Sequence, residues 1–251
     1  MNHRLTANLA SILTFAIIWE VLGNSLQTIL IPPLSQVGSA WLRLVKTGGL
    51  LENLLVSLGT LAVGFLLAVL LGVAMGVLMG RFREVEHLLD LYVNALMASP
   101  TIAFIPVLIL WFGLGVQSRI AVVFLFSFFV IAVNTQTGVK HADLALVEMA
   151  RSFGAKEWQL FYKVELPAAL PMIMAGLRLG IGRAVKGMVT GEMLLALTGM
   201  GAMIMQYGSA FATDALFAVI LTVLGVALIA MKLVQALDRR LTSWKVEIAI
   251  E

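Results

Sequence analysis

The groups that could do chemistry are few and scattered. His3, His87 and His141 stand in separate polar segments, a spacing that does not assemble a metal site, and the 251-residue chain has no cysteine. Disulfides, thiolate zinc sites and iron–sulfur clusters are thereby excluded. A phosphate loop ends in Gly-Lys followed by Ser or Thr. The nearest string, Gly182 to Gly187, is followed by Met188 and lies in an apolar stretch. We therefore expect no catalytic residue, no metal and no cofactor on this chain. What remains is a set of charges inside apolar sequence: Arg178, Arg183, Lys186 and Glu192, among Gly176, Gly180, Gly182, Gly187 and Gly191. Arg183 and Lys186 are three residues apart and fall on similar faces of a helix. A cationic lining of that kind suits an anionic solute; the alternative is that both cations pair with carbonyls or lipid phosphate. Arg178 lies nearer one end and can snorkel to an interface.

The elements that must position these charges are membrane spans. The chain is 61% hydrophobic and 12% charged, with a mean hydropathy of +1.00. That is far from the composition of a soluble domain, which is about half apolar and a quarter charged. Apolar runs of about twenty residues cross the hydrocarbon of a bilayer. They predict about six transmembrane helices in a single transmembrane domain, residues 1–251: 6–23, 54–79, 91–112, 120–137, 171–197 and 215–237. Glu20 and the lack of a small-residue cleavage site favour an uncleaved first span over a signal peptide. Between the first two spans, Trp41 to Val45 with Arg43 and Lys46 predicts a short interfacial helix. Gly72, Gly76 and Gly80 recur every four residues along one face, as close helix packing requires. Arg81 to Asp90 reads as an aqueous loop. Pro100 and Pro106 predict a kink in the third span, because each removes a helix hydrogen bond. The charges inside spans lead us to expect a water-filled path lined by Arg183, Lys186, Met188 and Glu192 of the fifth span and by Pro100 of the third. Lys and Arg concentrate on one side, at Arg81, Arg83, Lys140, Arg151, Lys156, Lys163, Arg239, Arg240 and Lys245. This bias places both termini in the cytoplasm.

The longest polar interval, 140–168, shares that side. Asp143 stands at an N-cap position, a short helix follows, and Gly154 is placed as its C′ residue. A second short helix, 156–165, is expected to stop at Leu166-Pro167. Two short helices about a glycine corner form a knuckle that suits contact with another protein.

The spacing in this knuckle resembles the cytoplasmic signature of membrane subunits of ATP-binding-cassette importers. That signature reads EAA, three residues, Gly, nine residues, I-x-L-P. Glu148-Met149-Ala150 stands for EAA, with Arg151 next to it. Gly154 stands for the glycine, Val164 for the isoleucine, and Leu166-Pro167 for the end. Met149 and Val164 are the departures, both small changes of apolar bulk. The likeness runs over about 53–244. Stretches such as 100–115, 154–171, 175–185 and 191–201 look like the nitrate/sulfonate/taurine permease branch, which also includes permeases for pyrimidine precursors, riboflavin and aromatic acids.

The resemblance implies an all-α, polytopic, type I importer permease of a bacterial inner membrane, with Glu148, Met149, Ala150, Arg151, Gly154, Val164, Leu166 and Pro167 in its ATPase-coupling helices. It implies that a separate ATPase subunit hydrolyses ATP with Mg, and that this chain is not an enzyme. It further implies a second permease copy, a periplasmic or lipoprotein binding protein, and a small anionic cargo: sulfonate, taurine, nitrate or aromatic acid. A pyrimidine or vitamin precursor carried by the same machine is the alternative. An ion-coupled secondary transporter would need paired intramembrane acids, for which Glu20 and Glu192 are the candidates. The 198–213 segment is expected to meet the binding protein.

Overall fold

A computed structural model describes residues 2–26, 28, 30–142, 144–195 and 198–242. Among them every regular element is helical, as the composition predicted. In chain order these are α1 (Asn2–Leu26), α2 (Leu34–Lys46), α3 (Leu50–Arg81), α4 (Arg83–Ala98), a 3-10 turn (Thr101–Phe104), α5 (Ile105–Phe112) and α6 (Val116–Lys140). Then follow α7 (Leu144–Ser152), α8 (Glu157–Leu160), a π turn (Phe161–Glu165), α9 (Leu166–Leu195), α10 (Met200–Ser209) and α11 (Thr213–Leu241). Asp143, the expected N-cap, and Lys245 lie outside the described residues.

Among the described residues four helical stretches are long and apolar enough to cross a membrane: Leu50–Arg81, Val116–Lys140, Glu157–Leu195 and Thr213–Leu241. The predicted third span is instead a pair, Arg83–Ala98 and Thr101–Phe112, bent by 100°. The expected kink is thus a sharp corner. Ser99 and Pro100 both take extended backbone there, and Pro106 falls in the first turn of α5, where its missing N–H costs nothing. The polar residues from Arg83 to Asp90, read as a loop, open α4. A shorter apolar helix, Ala10–Leu26, corresponds to the predicted first span. Large apolar side chains point outward along these helices, for example Leu55, Leu66, Leu70 and Leu233. Their exposure suits a lipid solvent.

The chain divides into two compact units: residues 1–57 with 192–225, and residues 58–191 with 226–251. In the second unit α6 is the central helix, burying Val122, Val123, Ser127, Val130, Ile131, Ala132 and Thr135. Glycines let its neighbours come close. A Cβ at Gly76 of α3 would sit 2.4 Å from the Ala132 carbonyl oxygen and one at Gly80 2.8 Å from Val139, so the predicted small face is an intrachain seam. On α9, Gly176 and Gly187 serve the same purpose against Asn134 and Phe126. Three polar side chains of α6 are satisfied by their own helix: Ser127, Asn134 and Thr137 each donate to the carbonyl four residues back. Arg178 does not simply snorkel; it forms an ion pair with Asp238 of α11.

In the first unit, α2 lays Val37, Ala40 and Leu44 against Met200, Met203, Ala215, Ala218 and Val219. Trp41 donates to Thr222 at 3.1 Å, and Arg43 pairs with Asp214 at 2.6 Å. The helix predicted around Trp41 exists, but its apolar face enters a protein core rather than lipid.

Candidate functional site: the knuckle, the α10 cap and the open face of α9

The knuckle is built by backbone chemistry first. Gly154 has φ of +78°, a left-handed geometry that glycine adopts without a Cβ clash. That corner lets Ala155 N–H donate to the Ala150 carbonyl at 3.1 Å and Gly154 N–H to the Arg151 carbonyl at 3.0 Å. These two bonds close the end of α7 as a Schellman motif, the ending that the glycine predicted. α8 opens with Gln159 Oε1 accepting from Lys156 N–H at 2.8 Å. The chain does not stop at Leu166-Pro167 as expected. Leu166 N–H donates to the Phe161 carbonyl, five residues back. This π turn widens the helix just before Pro167, which has no N–H to contribute, and the helix passes straight into α9.

The side chains of the knuckle face two ways. Leu160 is fully buried, whereas Leu146, Met149, Phe153, Trp158 and Tyr162 are exposed, Phe153 to 85%. Glu148 is also exposed, Ala150 half-buried. The corner thus carries an exposed apolar ridge beside a carboxylate. Beneath it, Arg81 at the end of α3 pairs with Glu165 at 2.6 Å and Glu157 at 3.5 Å, and Arg151 pairs with Glu157 at 3.0 Å. Nearby, Lys140 and Gln136 of α6 both donate to Glu86 of α4. The Lys140 hydrogen bond holds the Glu86 carboxyl below the usual carboxylate range.

Within the 198–213 segment Met200–Ser209 forms helix α10, and Glu192 helps to satisfy its first turn. Glu192 is fully buried, and its Oε2 accepts from Ser57 Oγ at 2.8 Å and Gly201 N–H at 3.0 Å. Ser57 Oγ in turn accepts from Met200 N–H at 2.9 Å, and Asn53 Oδ1 from Gly199 N–H at 2.7 Å. Three consecutive amides that open α10 are thus satisfied by α3 and by the end of α9, in the manner of an N-cap assembled from distant chain. A carboxylate there also meets the positive end of the helix dipole. Gly199 has φ of +100°, and a Cβ on it would lie 2.4 Å from the Glu192 carboxyl carbon. Glu20 acts similarly: its carboxylate accepts from Ser35 N–H and Ser35 Oγ at the start of α2. Both candidate acids for ion coupling are therefore engaged as helix caps.

Of the residues expected along a path, the structure brings together only some. Arg183 and Lys186 are exposed on one face of α9 with Leu179 and Leu194, and among the described residues neither makes a hydrogen bond or ion pair. Met188 and Glu192, by contrast, are 1% and 0% exposed. They lie on the inward faces of the helix and do not share that stripe. Pro100 is exposed at the corner between α4 and α5. Sequence reasoning missed Asn53 and Ser57. Their four-residue spacing on α3 put them on one face, but only the fold brings that face to α10.

Among the described residues every regular element is helical, and four stretches are long and apolar enough to cross a membrane, the make-up of a polytopic membrane protein. Residues 68–243 match the family described as binding-protein-dependent transport system inner membrane component, and the chain belongs to that family. It is similar to the taurine transport system permease protein TauC of Escherichia coli, at 29% identity over 99% of this chain and 93% of that one. It is also similar to a putative aliphatic sulfonates transport permease protein, SsuC of Bacillus subtilis, at 34% identity over 91% and 83%. A third relative is the formylaminopyrimidine transport permease protein ThiX of Halalkalibacterium halodurans, at 30% identity over 93% of each chain. Among solved structures, an inward-facing form of the MetNI methionine ABC transporter matches with a TM-score of 0.69 and 19% identity, over 78% of this chain and 97% of that one. That likeness supports the type I importer permease fold.

Proposed function

We propose that the chain is the permease of an ATP-driven importer for a small organic anion of the sulfonate, taurine or aromatic acid type. The observation that carries the cargo class is the pair Arg183 and Lys186, exposed on one α9 face and making no hydrogen bond or ion pair among the described residues. Arg183 is the eighteenth of thirty residues in α9, near mid-helix. A cation at the centre of a lipid-facing span costs roughly 2.5–3.5 kcal/mol, so two on one stripe favour a surface that meets water or protein. An aqueous path with positive lining concentrates anions. The kinship with taurine and sulfonate permeases supports the same class.

Two copies pack about a twofold axis, and each offers Glu148, Met149, Ala150, Arg151 and Gly154 to one cytoplasmic ATPase. ATP and Mg act there, on the partner. Val164, Leu166 and Pro167 carry the movement into α9 through the unbroken π turn. A periplasmic binding protein delivers cargo on the other side, and both termini are cytoplasmic, in keeping with the Lys and Arg bias. The test is transport by the reconstituted complex, combined with ligand binding to the partner binding protein. Arg183→Gln with Lys186→Gln should lower anion transport while leaving the permease assembled with its ATPase. Unchanged transport in that double variant, or a binding protein that takes only a neutral pyrimidine, would overturn the anion assignment.

A further inference from the structure

Arg81 was read from the sequence as one of many loop cations, yet the fold places it at the centre of a chain of charges. It is the last residue of α3, and its side chain is only 21% exposed. Nη1 donates to Glu165 Oε2 at 2.6 Å; Nη2 reaches the Glu157 carbonyl at 3.4 Å and Glu157 Oε2 at 3.5 Å. The guanidinium carbon lies 4.8 Å from the centre of the Phe161 ring, within cation–π range. Glu157 is also held from the other side by Arg151 of α7. The order is therefore Arg151, Glu157, Arg81, Glu165: the signature helix, the start of α8, the end of α3 and the π turn. A planar fork can hold a carboxylate, a carbonyl and a ring face at once, which a lysine cannot.

We infer that Arg81 is a positioning residue that fastens the knuckle to α3, giving it a second mechanical outlet besides α9. The covalent route runs from Glu165 through Pro167 into α9. The Arg81 route runs sideways, from three successive elements of the knuckle into a helix packed on α6 through Gly76 and Gly80. A load on the exposed ridge then moves α3 together with α9 rather than turning α9 alone. The inference rests on the reading that an ATPase bears on the knuckle.

The test uses the full complex of permease and ATPase in lipid nanodiscs. Hydrogen exchange is followed with and without ATP and vanadate, in the last turns of α3 and the first turns of α9. The wild type is expected to show an ATP-dependent change in both helices. Arg81→Gln should keep the ATPase bound and keep the α9 change while losing the α3 change. Arg81→Lys should keep part of it, through the one carboxylate that an ammonium can still hold. A merely structural role would alter exchange with and without nucleotide alike and would leave that difference in place. An α3 response that persists in Arg81→Gln, or loss of both helix responses together, overturns the inference. If the wild-type permease fails to retain its ATPase, the knuckle reading itself falls, and this inference falls with it.

Discussion

The knuckle and the α10 cap are both corners where a helix end must be satisfied, and they solve the problem in opposite ways. At the knuckle, backbone geometry at Gly154 closes α7, and of the four surrounding charges Arg151 and Glu157 are well exposed while Arg81 and Glu165 are largely covered. At α10, one fully buried carboxylate and the hydroxyl it holds satisfy amides that nothing local can reach. The exposed Arg151–Glu157 pair of the first arrangement tolerates loss of a member, because water replaces it. The second does not, because each removed acceptor strands a donor away from water. The contrast separates an exposed corner, which the proposed function gives to the ATPase, from a buried anchor.

Gly199 is where that contrast breaks most severely. Its φ of +100° is strained for any other residue, and the missing Cβ would collide with the Glu192 carboxyl group. Gly199→Ala should cost roughly 3 kcal/mol or more, combining backbone strain with overpacking. Recovery of the variant from detergent, with its melting temperature, measures this. A variant as stable as wild type would mean that the α10 cap is not fixed.

Glu192→Leu comes next. It removes the acceptor for Ser57 Oγ and Gly201 N–H, each buried donor costing about 1–3 kcal/mol when unsatisfied. Glu192→Gln keeps one oxygen and should cost less. Equal melting temperatures for the Leu and Gln variants would show that packing rather than hydrogen bonding holds α10.

Salt probes the same comparison without mutation. At about 1 M salt the screening length falls to about 3 Å, so the exposed pair of Arg151 and Glu157 weakens while the buried Glu192 cap does not. Amide exchange in α7 and α8 is expected to accelerate between low and high salt, with the first turn of α10 unchanged. Equal acceleration in both regions would remove the distinction drawn between them.

Much of the knuckle was legible because it is local. A glycine after a short helix, a proline after a second one and the spacing between them are fixed within twenty residues. The small face of Gly72, Gly76 and Gly80 was legible for the same reason. What sequence reasoning placed wrongly depends on distant chain. Pro167 does not end its helix, because a π turn precedes it and no residue type announces that register shift. Glu192 was assigned to a path because a charge inside an apolar glycine-rich stretch has no visible partner in one dimension. Its partners, Ser57 and the amides of α10, are supplied by the fold. Arg183 and Lys186 looked alike with Glu192 in sequence, and only burial separates them.

The smallest expected effect is at Gly154, and it is the most discriminating. Nothing lies within 4 Å of a Cβ built there, so within this chain the glycine is required by its backbone angle alone. A β-branched residue should lose about 2 kcal/mol locally in the left-handed region, whereas asparagine visits it readily and should lose under about 1 kcal/mol. Gly154→Asn is therefore expected to leave insertion and melting temperature close to wild type. If an ATPase groove closes over the corner, the added side chain must meet it, and ATPase retention by the permease should fall while stability does not. Retention and ATP hydrolysis equal to wild type in Gly154→Asn, with loss only in Gly154→Val, would confine the role of Gly154 to shaping α7. Contact with the partner would then fall to the exposed ridge of Met149, Phe153 and Trp158.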